Sequence, residues 1–433
     1  MSIATPSTST AVSPDSSSSS TGPLAVVTTL FFMWGFLTCL NDILVPHLKP
    51  IFDLNYAEVM LIQFAFFGAY FLFSIPSAKV IDWIGYQRSM VVGLLTMGAG
   101  AFLFVPAASV PSFPLFLVAL IVLAAGITCL QVAANPYVTV LGKPETASSR
   151  LNLTQAFNSL GTFLAPFFGG LLILSAAPRT MEEIRSLAPD ALQAYRLHEA
   201  ATVKTPYVGL GIALVVLAIA IGSFKLPKIP HAQHKVGEKV NDSIWKHRNL
   251  ILGAIGIFVY VGAEVSIGSF LVNYFSQPEI GGLTEKVAAS FVAFYWGGAM
   301  VGRFIGSGLL QTMKTGRLLG ICAVCAAALV AISMLSTGHF AMWSIILVGF
   351  FNSIMFPSIF TLGVAELGPL TGDGSGIMIM AIVGGALIPI AQGAIADRIG
   401  IHHAFFLPVI CYLYILFFAV SGSKPNSERR ARS

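Results

Sequence analysis

The sequence predicts an all-α membrane protein of twelve transmembrane helices, arranged as two pseudo-symmetric six-helix bundles. Three observations lead there. Hydrophobic residues make up 56% of 433 and charged residues only 10%, with a mean hydropathy of +0.82. A soluble domain carries roughly 25% charged residues, so this chain lacks the polar surface to face water. The apolar residues gather into twelve runs of about 20, the length that crosses a ~30 Å hydrocarbon core. Finally, landmarks of the first six runs recur in order in the last six. Barrel strands would alternate apolar and polar residues with period two, and these runs do not. Helices are then the spanning element.

In chain order, residues 1–23 are rich in Ser, Thr and Pro with one charge, Asp15. They read as a disordered cytoplasmic tail. No basic segment or small-residue cleavage site marks a secretory signal, so the first apolar run stays as a helix. Spans 1 to 6 fall at 24–46, 58–81, 89–108, 113–141, 151–175 and 205–224. Together they make the first bundle, 24–224. A basic cytoplasmic linker, 225–248, leads to spans 7 to 12 at 249–275, 287–310, 317–336, 339–366, 374–396 and 402–421. That is the second bundle, 249–421, and a basic cytoplasmic tail, 422–433, closes the chain.

The net charge of +5 is explained by its distribution. With both termini cytoplasmic, 17 of the 24 Lys and Arg lie on the inner side, concentrated in "KLPKIPHAQHKVGEKVNDSIWKHR" and "SERRARS". That is the positive-inside bias and no sign of nucleic-acid binding. The five cysteines sit inside apolar spans. Cys322 and Cys325 form a CxxC, but mid-helix in an Ala/Val run, where they read as small packing residues.

The internal repeat is visible by eye. Asp42 aligns with Glu264 in the first helix of each half. Gly68 and Arg88 pair with Gly297 and Arg317, 229 residues on; Pro136 and Glu145 pair with Pro357 and Glu366, 221 on. Gly161, Pro166 and Gly170 pair with Gly384, Pro389 and Gly393, 223 on. One insertion, matching the 7–8 loop "SQPEIGGLTE", accounts for the rise in offset from 222 at Asp42 and Glu264 to 229. Parallel six-helix repeats are the layout of major facilitator transporters, whose halves rock about a site between them. The loop "AKVIDWIGYQRS" (78–89) looks like a degraded form of that family's cytoplasmic gating motif, keeping Asp82, Gly85 and Arg88 with Trp83 in place of the usual Arg. "GAIADRIG" (393–400) copies the pattern on the outer side, and no gating role is expected of it.

Polar residues inside the spans form stripes at helical spacing. Trp34, Thr38, Asn41 and Asp42 share a face of span 1. Thr128, Gln131 and Asn135 share one in span 4, and Asn152, Gln155, Asn158 and Thr162 one in span 5. Tyr260 and Glu264 share one in span 7, and Asn352 lies in span 10. Amides and hydroxyls donate to and accept from sugar hydroxyls, and an indole packs on a sugar's C–H face. The same residue types also supply interhelical glue, which is the competing reading. Stripes on five helices favour a sugar cavity lined by Trp34, Thr38, Asn41, Gln131, Asn135, Gln155, Asn158, Tyr260 and Asn352.

An acid within a span is a functional-site hypothesis, because it costs at least about 2.5–3.5 kcal/mol at the helix centre. Asp42 lies towards the outer end of span 1. Glu264 is deeper, with fifteen uncharged residues before it and fourteen after. Only Arg303, near the inner end of span 8, offers a positive charge within the same spans. Unpaired buried acids are protonated or hold a cation, which makes Asp42 and Glu264 the expected coupling pair. No cofactor is expected. The coupling ion is a proton or a sodium, the latter on oxygens of Asp42, Thr38 and Gln131.

Over about 25–420 the chain resembles the fucose permease / glucose–galactose transporter branch of the major facilitator superfamily. The segments "NDILVP" (41–46), "AANPYVTVLG" (133–142), "RLNLTQAFNSLG" (150–161) and "YVGAEVSIGSFLVNY" (260–274) carry the resemblance. It implies import of a monosaccharide with a cation across a bacterial inner membrane, by a multi-pass protein taken to act as a monomer. Fucose permeases carry a glutamate where this chain has Gln131 and an amide where it has Glu264. The second carboxylate has thus crossed from span 4 to span 7. That departure points to glucose or galactose and puts L-fucose in doubt. A membrane enzyme is disfavoured, since no HExxH, P-loop or His/Asp cluster is present. A sugar receptor on the same fold, a facilitator and a drug exporter compete with a symporter. Polar stripes rather than an aromatic-lined cavity argue against the exporter.

Overall fold

The computed structural model describes residues 21–52, 56–110, 112–172, 186–202, 204–229 and 242–425, excluding among others the side chains at 38, 40–60 and 166–172. The expected disordered tail, most of the linker and the last eight residues lie outside that description. Among the described residues every regular element is a helix.

Span 1 is Thr21–Phe52, starting three residues before the boundary read from sequence. Spans 2 and 3 form one continuous element, Tyr56–Ser109, bent at Gly85. Gly85 has φ 81° and ψ 169°, a left-handed backbone that only glycine adopts without strain. One residue therefore makes the turn for which the sequence suggested a loop. Spans 4 to 6 are Phe113–Val140, Ala147–Leu172 and Lys204–Ser223. Spans 7 to 9 are Arg248–Phe275, Glu285–Thr312 and Thr315–Leu335. Nine helical stretches of the described chain are long and apolar enough to cross a bilayer, with Phe64–Ser109 counted once for two spans.

Spans 10 to 12 are interrupted helices. Span 10 runs Gly338–Asn352 and resumes at Met355–Gly363. Span 11 passes from Thr371–Met380 through a tight turn at Ala381–Val383 to Gly384–Ile399. Span 12 comprises Ile401–Ala404 and Phe406–Phe417. A further helix, Pro189–Thr202, was not foreseen in the 5–6 connection. Its entry proline and Asp190 suit a helix N-terminus. It packs on the ends of spans 1, 2–3 and 6.

Within each half the helices pack chiefly on each other. Span 1 packs on span 5, and the 2–3 element on spans 4 and 6. In the second half span 7 packs on 10, 11 and 12, span 8 on 10, and span 9 on 10 and 12. Small residues let backbones approach where lipid supplies no hydrophobic drive. A Cβ on Gly161 would stand 2.3 Å from the Phe32 carbonyl oxygen, and one on its repeat mate Gly384 would stand 2.0 Å from that of Phe258. This pair of landmark glycines marks a close helix contact in each half, whereas a Cβ on Gly68 or Gly297 would meet nothing within 4 Å.

The halves meet along two seams, span 2 with span 11 and span 5 with spans 8 and 10, joined by contacts of span 4 with span 11. The hydrogen bonds crossing between halves join Lys79 to Asp373, Ser375 to Val132, Thr315 to Ser148, Ser149 to Ser307, Asn152 to Arg303 and Arg303 to Ser159. They run from mid-span to the end that carries the Gly85 turn, called the inner end below. At that end the two bundles are shut against each other.

Candidate functional site

The landmark prolines shape the centre of each half. A proline within a helix has no N–H, so the carbonyl four residues earlier loses its partner. Pro136 frees Val132 O, which accepts from Ser375 Oγ at 2.8 Å. Pro357, its repeat mate, frees Ser353 O, which accepts from Arg303 Nε at 3.2 Å. Span 10 breaks at that point, directly after Asn352.

Around the break lies a polar cluster. The Tyr260 hydroxyl is 2.7 Å from Glu264 Oε1 and 3.1 Å from the Asn352 carbonyl oxygen. Asn352 Nδ2 donates to the Tyr295 hydroxyl at 2.8 Å, which in turn reaches the Glu264 backbone carbonyl at 3.4 Å. The Tyr412 hydroxyl sits beside the Asn352 amide without a well-formed bond to it. Glu264 keeps accessible surface although its neighbours Tyr260, Ala263 and Ile267 are buried. It forms no ion pair among the described residues.

The first half holds the matching amides. Gln131 Nε2 donates to the Tyr70 hydroxyl at 2.8 Å, and Gln155 Nε2 to Asn135 Oδ1 at 3.5 Å. Buried polar atoms with no partner occur in both clusters: Asn135 Nδ2 in one, Asn352 Oδ1 in the other. A buried polar group left unpaired costs about 1–3 kcal/mol. Such atoms suit a ligand that brings its own hydroxyls.

The rest of the expected site residues sit differently. Asn158 Nδ2 is taken up by the Phe31 carbonyl at 2.9 Å, and Thr162 bonds Gly35 O at 3.3 Å. These two act as glue between spans 1 and 5. Trp34 is buried at 4% exposure against Phe31, ring centroids 4.2 Å apart, so its indole packs in the bundle. The side chains of Thr38, Asn41 and Asp42 lie outside the described residues. Of the expected sodium ligands only Gln131 is described, and its amide nitrogen faces Tyr70.

At the inner end, Asp82 is buried near Gly372, in the first turn of Thr371–Met380, where a helix dipole favours an anion. Lys79 bridges Asp82 at 3.4 Å and Asp373 at 2.8 Å. Gly85 makes the turn, and Arg88 is exposed and takes no part in these bonds. Lys79, Asp373, Tyr70, Tyr295 and Tyr412 were not singled out from sequence. A phenol in the middle of an apolar run needs a polar partner, and that signal was available for the three tyrosines.

The Major Facilitator Superfamily model matches residues 25–382. The chain belongs to that superfamily. The family match makes it a transporter rather than an enzyme. It is 55% identical over 401 residues to the glucose/galactose transporter of Brucella abortus biovar 1 (strain 9-941), covering 93% of this chain and 94% of that one. It is 35% identical over 404 residues to the L-fucose-proton symporter of Escherichia coli (strain K12), covering 92% of each. The crystal structure of the major facilitator transporter FucP in the outward conformation superposes with a TM-score of 0.84 at 33% identity, covering 92% of this chain and 97% of that one.

Proposed function

We propose that the protein imports a monosaccharide, glucose or galactose, by cation symport with alternating access, and that Asp42 and Glu264 carry the coupling ion. The sugar class rests on the relative named glucose/galactose transporter and on the unpaired buried amide atoms. The bacterial relatives support the bacterial inner membrane, and the positive-inside distribution of Lys and Arg supports cytoplasmic termini.

The arrangement at Tyr260 supports a proton as the coupling ion. Its one hydroxyl proton has two acceptors in range, Glu264 Oε1 at 2.7 Å and Asn352 O at 3.1 Å. Both bonds form at full strength only when Glu264 is protonated: the carboxylic acid donates to the phenol oxygen, and the phenol donates to the carbonyl. An ionised Glu264 accepts the phenol's hydrogen bond in competition with Asn352 O. The cluster is thus suited to a protonated acid.

With the inner seams shut, the sugar would enter from the opposite end. Gln131, Asn135 and Gln155 would meet it from one bundle, Tyr260 and Asn352 from the other. Uptake of labelled glucose and galactose into proteoliposomes, with pH and sodium gradients imposed separately, tests the reading. Accumulation driven by the pH gradient supports it; accumulation driven by sodium alone would reassign the ion; no accumulation under either gradient contradicts symport.

A further inference from the structure

We propose that Asn249 is a positioning residue: it gathers three carbonyls at the inner end of span 10, holds Glu366 in a left-handed turn, and so sets how span 11 enters the seam with the first half. The inference is independent of which sugar and which ion are carried.

Asn249 is the second residue of span 7 and is 1% exposed. Its Nδ2 lies 3.2 Å from Leu362 O, 3.1 Å from Gly363 O and 3.1 Å from Ala365 O. An amide nitrogen carries two protons, so the three carbonyls share them. The inner helix of span 10 ends at Gly363, and the last carbonyls of a helix have no partner within it. Asn249 supplies one from another span. The two ends are also closely packed: a Cβ on Gly253, one turn along span 7, would stand 3.1 Å from Gly363 Cα.

Directly after Ala365 comes Glu366, with φ 60°, the one non-glycine at positive φ among the described residues. A side chain there is strained, and such strain persists only where surrounding contacts impose the conformation. Ala365 O lies in the peptide plane from which that φ is measured, so Asn249 holds the turn at its entry. Beyond it Leu367 is 3% exposed and packs over Gly374, where a Cβ would stand 2.3 Å from Leu367 Cδ1 and 3.5 Å from Leu250 Cδ1. The helix so placed, Thr371–Met380, presents Asp373 to Lys79 at 2.8 Å and Ser375 to Val132 O at 2.8 Å, both in the first half.

The first half ends the matching span differently. Val138 O and Thr139 O of span 4 accept from Arg150 at 3.3 and 2.9 Å, and Lys143 O does so at 2.8 Å. Arg150 belongs to span 5, the next span in the chain. The left-handed position of that turn is Gly142, φ 104°, which bears no strain. The mate of Asn249 at the 222-residue offset is Val27, which has no side-chain N–H. The second half instead pairs a strained residue with a donor from a distant span.

The test is maleimide labelling of purified full-length protein in detergent. Leu367→Cys reports on the turn and, in a second background, Ser375→Cys reports on the seam. The two positions are 3% and 0% exposed, so labelling above that of the unmodified chain reads movement. Asn249→Ala should raise the labelling rate of both reporters about tenfold, the effect of one net hydrogen bond lost. Adding Glu366→Gly, which frees the left-handed turn of strain, should return both rates to within about twofold of the start. Adding Glu366→Ala, which keeps a Cβ, should not. If Asn249→Ala fails to fold, the same distinction is read with Asn249 intact: Glu366→Gly should melt a few degrees above the unmodified chain and Glu366→Ala should not. Three results would each overturn the proposal: unchanged labelling in Asn249→Ala, equal effects of Glu366→Gly and Glu366→Ala, or a seam reporter that stays protected while the turn reporter is exposed.

Discussion

Gln131 and Asn352 stand 221 residues apart and make the same bond, each donating its amide to a mid-span tyrosine hydroxyl at 2.8 Å. The tyrosines are not themselves repeat mates: Tyr70 is in span 2 and Tyr295 in span 8, on different turns of their helices. The two halves have kept an amide at one position and found separate phenols for it. Around these pairs the halves diverge: the second sets Glu264 on Tyr260 beside its amide, whereas the first carries the amide Gln131 where fucose permeases carry an acid.

That divergence predicts the effect of moving the acid. Glu264→Gln should lose most uptake, and adding Gln131→Glu should recover part of it, because one carboxylate returns to the cavity from the opposite half. Recovery should be partial, since errors near 1 Å in position cost orders of magnitude in rate. Initial uptake rates in vesicles at matched protein content decide it. A double variant no better than Glu264→Gln alone would leave Glu264 with a role in its own half.

The amide positions should separate binding from glue. Gln155→Ala frees the Asn135 side-chain carbonyl and removes a donor of the proposed sugar site, and should weaken sugar affinity by about 0.5–1.5 kcal/mol, roughly two- to tenfold. Asn158→Ala instead removes the bond to Phe31 O and should show first as a lower melting temperature. Titration calorimetry and thermal unfolding of the two variants give the comparison. Equal affinity losses with equal stability would erase the distinction drawn between them.

The repeat glycines should differ in tolerance. Gly161→Ala places a methyl 2.3 Å from the Phe32 carbonyl oxygen, whereas a Cβ on Gly68 meets nothing within 4 Å. Overpacking of this kind costs about 1–3 kcal/mol, so Gly161→Ala should melt several degrees lower and Gly68→Ala should be near neutral. Gly85→Ala should also destabilise, by about 1–2 kcal/mol, because its φ of 81° suits only glycine. Thermal scans in one detergent rank the three.

Most of the fold was legible because membranes impose simple rules. Length and hydropathy set the twelve spans, and the landmark pairs Pro136/Pro357 and Gly161/Gly384 located the repeat. The prolines proved to free carbonyls for Ser375 and Arg303, a use that a sequence pattern cannot show. Helix periodicity put Asn158 and Gln155 on one stripe, yet they serve different neighbours. A stripe fixes the face of a helix and not which helix meets it. Tyr295 and Tyr412 escaped notice because phenols in apolar runs read as hydrophobic filling. Lys79 and Asp373 escaped because their pairing joins positions 294 residues apart.

The inner ion pair should matter for conformation more than for stability. Lys79 is 49% exposed, and pairs of that kind contribute about 0–1 kcal/mol. Lys79→Ala should leave the melting temperature nearly unchanged while raising thiol labelling of cysteines placed along the 2/11 seam. Unchanged labelling would remove the pair from the gate.

The central claim is that an acid in each half, Asp42 and Glu264, couples sugar movement to a cation. Purified protein in vesicles can be assayed for accumulation under a proton gradient and for exchange between equal sugar pools. The account predicts that Asp42→Asn and Glu264→Gln each lose accumulation and retain exchange, because the amides keep shape and hydrogen bonding without the titrating charge. Undiminished accumulation in both variants would contradict it.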